Sequence, residues 1–147
     1  SVHWHAIKSI FALEALLAFV GIASNSLLFL ASYTSPAMKS KCNFLICICA
    51  LFDVIHLAGN FIGVSVLIGE GYLNSLTCSI AQLLPELAVY AGCFCVLSIG
   101  VDRLVSVSWP IFYRQVDKNC YLTFHLIAIG LFTAYVPFLM ITYYQPQ

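Results

Sequence analysis

Four long apolar runs leave this chain few ways to fold. They extend over Ile10–Tyr33, Asn43–Ile68, Leu76–Val107 and Tyr121–Tyr144. Each exceeds the ~20 residues that a helix needs to cross the hydrocarbon core of a bilayer. Hydrocarbon offers no partner to a backbone amide, so a spanning segment must be a helix or part of a closed barrel. The runs lack the apolar/polar alternation of barrel strands. The expected fold class is therefore an all-α membrane protein with four transmembrane helices. Composition agrees. Of 147 residues, 62% are hydrophobic and 8% charged, where a soluble domain carries roughly 25% charged residues. So few charges cannot coat a water-facing surface, and lipid is the expected solvent and partner. The first run is too long for a ~7–15-residue signal-peptide core, and it carries Glu14.

The connectors predict the orientation. Thr34–Cys42 holds Lys39 and Lys41, and Trp109–Cys120 holds Arg114 and Lys118, with Arg103 just upstream. Gly69–Ser75 holds only Glu70. The excess of Lys and Arg places the first and third connectors in the cytoplasm. Both ends of the chain then lie outside, against the single dissenting charge of Lys8. Trp4, Tyr33, Tyr72, Trp109, Tyr113, Tyr143 and Tyr144 fall near the expected interfaces, where amphipathic rings settle. The chain begins with Ser1 rather than Met, so a fragment or processed product is expected.

Several function classes are disfavoured. A formal net charge of +0 lacks the basic footprint that nucleic acid requires. There is no G-x-S-x-G, P-loop or H-E-x-x-H, and the histidines are scattered over His3, His5, His56 and His125, so no enzyme is expected. The seven cysteines contain no C-x-x-C pair, and no metal or other cofactor is expected. Cys78 opens the third helix on the outside, where a disulfide can persist. It is either free or paired with a cysteine beyond Gln147.

A few polar residues interrupt the apolar runs, and each needs a partner at membrane depth. Asn25 and Asp53 fall near the middle of the first two helices. They could build a polar core site, or simply supply a hydrogen bond that orients the helices. His56, three residues after Asp53, reads as a buried neutral histidine rather than a metal ligand. Gln82, Glu86 and Tyr90 recur at four-residue spacing and share a stripe on the third helix. Glu86 lies ~25 Å along the axis from Arg103 at 1.5 Å per residue, which places the stripe toward the outer leaflet. It could line a ligand cavity or be a protein-facing patch. Pro85 is expected to kink the helix beside it.

At the inner end of the third helix stands Asp102-Arg103-Leu104. An acid beside an arginine there can act as a latch, quiet when paired and free to engage a partner when released. These residues, with their neighbours, resemble the first four helices of a rhodopsin-like G-protein-coupled receptor. That family's first-helix Gly-Asn reads Ser24-Asn25. Its second-helix Asn…Leu-Ala-x-x-Asp reads Asn43…Cys49-Ala50-Leu51-Phe52-Asp53. A cysteine stands twenty-five residues before the arginine, as Cys78. The loop proline seven residues past the arginine is Pro110, with Tyr113 three further on. The wording around Asp102 and Trp109-Pro110-Ile111-Phe112-Tyr113 looks most like nematode serpentine chemoreceptors.

The resemblance implies a partial seven-transmembrane receptor domain over residues 1–147. In its complete form it would sit in the plasma membrane with an extracellular N-terminus and relay an unknown extracellular small molecule or peptide to a heterotrimeric G protein. It implies an activation switch at Asp102, Arg103, Leu104, Pro110 and Tyr113, with Arg103 held by Asp102 at rest. It also implies a polar network through Asn25 and Asp53, a ligand pocket including Gln82, Glu86 and Tyr90, and half of a disulfide at Cys78. The pattern departs at Ser24, Cys49 and Leu104. Gly92 replaces a serine that helps hold sodium near the second-helix acid, which weakens the case for sodium at Asp53. Pro85 occupies the place of the acid that amine receptors use, which argues against a biogenic amine. The alternative is a stand-alone four-helix scaffold or a small transporter subunit.

Overall fold

The computed structural model describes residues 2–34, 40–68 and 74–143. Lys39, Glu70, Tyr72 and Tyr144 lie outside the described residues. Within them the chain forms five helices: α1 Val2–Thr34, α2 Lys41–Ile68, α3 Ser75–Ser108, α4 Pro110–Gln115 and α5 Lys118–Tyr143. Four contain apolar spans of membrane-crossing length: Ile7–Thr34, Lys41–Ser65, Ile80–Ser108 and Lys118–Leu139. This is an all-α membrane protein.

α1 begins before its apolar run because Val2–Ser9 contains neither Gly nor Pro to stop a helix. The third connector is not the plain loop that the sequence suggests. Pro110 begins α4 as its first residue, where a missing N–H costs nothing and the fixed φ suits a helix. The Trp109 amide still donates to Val105 O of α3, and Val116 N closes α4 on Phe112 O.

α2 lies between α1 and α3, while α4 and α5 pack against α3. The buried apolar residues are mostly small: Ala18, Cys42, Ala50, Ala88, Ala91 and Cys95. Lipid chains are as apolar as leucine, so helices associate by close approach rather than by hiding hydrocarbon, and small residues permit it. The large side chains turn outward, among them Leu16, Phe19, Leu27, Leu97, Phe124, Leu131 and Phe138.

α2 and α3 approach closely at Gly59. A methyl group there would come within 2.5 Å of Pro85 Cβ and 2.6 Å of its Cγ. Pro85 is buried, so its ring is the ridge that Gly59 admits. Just beside it Gln82 Nε2 donates to Gly59 O across 3.5 Å.

Candidate functional site

Consecutive residues of a helix do not face one another. That rule arranges the charged end of α3. Asp102 turns into the bundle and is fully buried, while Arg103 and Leu104 are exposed. Among the described residues no ion pair joins the Asp102 carboxylate to Arg103, the partner that the latch expectation gave it. Asp102 Oδ1 accepts a hydrogen bond from the Tyr113 hydroxyl of α4 at 3.0 Å, and among the described residues its Oδ2 has no hydrogen-bond partner. Burial, followed by this bond to a carboxylate, pushes the Tyr113 phenol well above its ordinary value. It therefore remains a donor throughout the physiological range.

Other polar side chains gather around this pair. The ammonium of Lys41, in the first turn of α2, donates to Tyr113 O at 2.6 Å and to Val116 O at 2.9 Å. The Tyr113 and Tyr121 rings meet edge-on, 5.8 Å apart, and Tyr121 in turn lies 4.8 Å from His125. His125 and Ser98 are buried, and so is the Tyr121 hydroxyl, close to the Asp102 carboxylate. Residues from α2, α3, α4 and α5 thus converge on one polar knot at the Arg103 end. Of its members, sequence reasoning singled out only Asp102 and Tyr113. From sequence Lys41 reads as an orienting charge, and His125 as one of several scattered histidines. The available signal was the four-residue spacing of Tyr121 and His125, which puts both on one face of α5.

The remaining expected site residues are dispersed. Asn25 donates to Gly21 O of its own helix at 3.1 Å, and among the described residues no hydrogen bond joins it to Asp53. Asp53 is half-buried and faces α3 at Gly92, where an added Cβ would lie 3.7 Å from its Oδ1. A serine at that position would fit, but glycine offers no hydroxyl. Along the Gln82–Glu86–Tyr90 stripe, Gln82 turns toward α2, Tyr90 is half-buried and Glu86 is exposed. An apolar groove of about 370 Å³ lies between α2, α3 and α5, against Phe52, Leu84, Ala91 and Ile129. None of the three stripe residues lines it. Pro110 is exposed at the head of α4. Cys78 is half-buried and free. Among the described residues, no three His, Cys, Asp or Glu side chains gather as a metal site would need.

The sequence model described as "Serpentine type 7TM GPCR chemoreceptor Srsx" matches residues 18–147. The chain belongs to this chemoreceptor family of G-protein-coupled receptors. It is also similar to the RYamide receptor of Tribolium castaneum, at 23% identity over 107 residues. That alignment covers 71% of this chain and 29% of the Tribolium receptor, so the chain spans less than a third of the length of this relative. Membership, together with four apolar helices of membrane-crossing length, makes the chain part of a multi-pass membrane protein. It gives no support to a stand-alone scaffold or transporter subunit. In this member of the family, the polar knot of Asp102, Tyr113 and Lys41 lies at the Arg103 end of the bundle.

Proposed function

We propose that these residues form the first four transmembrane helices of a seven-helix chemoreceptor domain in the plasma membrane. The receptor relays an extracellular small molecule or peptide to a heterotrimeric G protein. The N-terminus lies outside, and the Arg103 end faces the cytoplasm, in keeping with Lys41, Arg114 and Lys118 at that end. One observation carries the reading: Asp102 is buried and occupied by Tyr113, which leaves the neighbouring guanidinium of Arg103 exposed beside α4.

Such an arrangement suits a switch. Arg103 is not restrained by the adjacent acid, so it is available to a protein partner, while Asp102 and Tyr113 hold α4 in place next to it. A ligand changes the outcome only if it binds one arrangement of the helices better than another. Glu86, with Gln82 and Tyr90 on the same stripe, supplies the outer polar groups that such a ligand would meet. Asn25 and Asp53 add polar groups at mid-membrane, between the two ends. Pro110 and Leu104, both exposed, contribute to the surface presented to the transducer, and Cys78 would anchor the outer end of α3 to a cysteine of the second extracellular loop.

The test is nucleotide exchange on purified heterotrimeric G protein, driven by the full-length receptor. Arg103→Ala should lower it by about tenfold or more at unchanged surface expression. Exchange at the wild-type rate would contradict the assigned role of Arg103.

A further inference from the structure

Lysine at the end of a transmembrane helix ordinarily serves as an orienting charge, its ammonium reaching for water. Lys41 does otherwise. It is half-buried, and its ammonium is committed to two backbone carbonyls, Tyr113 O at 2.6 Å and Val116 O at 2.9 Å. The same ammonium lies 4.5 Å from the centre of the Tyr113 ring and 5.1 Å from that of Tyr121. Hydrogen bonds from a charged donor are shorter and stronger than neutral ones, and an ammonium against tyrosine faces gains further attraction.

The position of those carbonyls gives the contact its meaning. α4 has six residues, and Val116 is its C-cap. The last carbonyls of a helix have no intrahelical partner, and a helix this short does not hold itself in isolation. α4 therefore depends on ties to its neighbours, and Tyr113 is gripped at both ends. Its hydroxyl is held by Asp102 of α3 and its carbonyl by Lys41 of α2. Two ties from different helices constrain where α4 lies and how it is turned.

We propose that Lys41 is a positioning residue for transducer coupling: its caged ammonium fastens the last turn of α4 to the first turn of α2 and so sets the pose in which α4 meets the G protein. This rests on the reading that the Arg103 end couples to a G protein. A merely orienting lysine would leave α4 indifferent to its loss.

The experiment uses the full-length receptor in lipid nanodiscs, as wild type, Lys41→Met and Lys41→Arg. Backbone amide exchange is followed across residues 110–117, and nucleotide exchange is measured on purified heterotrimeric G protein. Lys41→Met should accelerate amide exchange at 113–117 by about tenfold with α1 unaffected, and should lower nucleotide exchange by about fivefold. Lys41→Arg should recover at least half of each loss, because a guanidinium can still donate to both carbonyls. Wild-type amide exchange in Lys41→Met overturns the proposal, and so does faster amide exchange with coupling intact. Should Lys41→Met fail to fold, Tyr121→Leu removes one wall of the cage and should accelerate the same amides by about threefold; no acceleration overturns the proposal equally. Arg103→Ala in parallel separates the two readings. If it leaves nucleotide exchange intact, the coupling role itself fails, while the amide result still reports on the tie.

Discussion

Tyr113 and Asp102 stand eleven residues apart in sequence and are joined by a 3.0 Å hydrogen bond that links α4 to the buried end of α3. The acceptor is fully buried, and among the described residues its second oxygen has no hydrogen-bond partner. Tyr113→Phe therefore removes a hydrogen bond from this buried carboxylate. Leaving such a group unsatisfied costs about 1–3 kcal/mol, so the melting temperature of the full-length receptor should fall measurably. Adding Asp102→Asn should return part of the loss, since a neutral amide is cheaper to bury than a carboxylate. A double-mutant cycle without coupling would mean that the bond contributes nothing. The linkage has a definite sign. The folded-state value of Tyr113 is raised above its ordinary 10.0, so this stability is fully present below that pH. It is lost only as pH climbs through the raised value.

Gly59 and Pro85 make a second prediction. Because the atoms that a new methyl group would meet belong to a rigid ring, Gly59→Ala must push α2 and α3 apart. Overpacking of this kind costs about 1–3 kcal/mol. Gly21→Ala is the control. Its methyl would meet the tip of the Leu57 side chain, Cδ1 at 2.6 Å, which can rotate away. That variant should stay within about 1 kcal/mol of wild type, helped by the better helix propensity of alanine. Thermal melts of the two variants, read side by side, check the contrast. Equal losses would contradict it.

Glu86 is exposed, whereas Gln82 on the same stripe gives its amide to Gly59 O. The two should respond differently. Glu86→Gln should leave stability unchanged but shift the potency of an agonist found by screening by about tenfold, the loss of one charge-assisted contact. Gln82→Ala should act mainly on stability, by about 1 kcal/mol. An unaltered dose–response in Glu86→Gln would remove that residue from the ligand pocket.

The membrane helices were legible because hydrocarbon imposes a single demand, internal satisfaction of the backbone, that long apolar runs answer plainly. α4 was not legible, because six residues between Trp109 and Val116 carry no periodicity long enough to detect. At the charged end of α3 both Asp102 and Tyr113 could be singled out by type and position. Their pairing could not, since sequence adjacency suggested Arg103 while helical geometry turned the neighbours apart. Lys41 misled for a related reason. Its charge points to orientation, but its chemistry here lies in two carbonyls more than seventy residues away. Asn25 shows the converse: an amide expected to reach across helices is satisfied one turn back, at Gly21.

The measurement that bears most directly on this account is the sidedness of the α4 loop. With Arg114→Cys in the full-length receptor, a membrane-impermeant maleimide should add no label over wild type in intact cells and should add it once the cells are permeabilised. Extra labelling in intact cells would put Arg103, Lys41 and α4 on the outside, where no G protein could reach them.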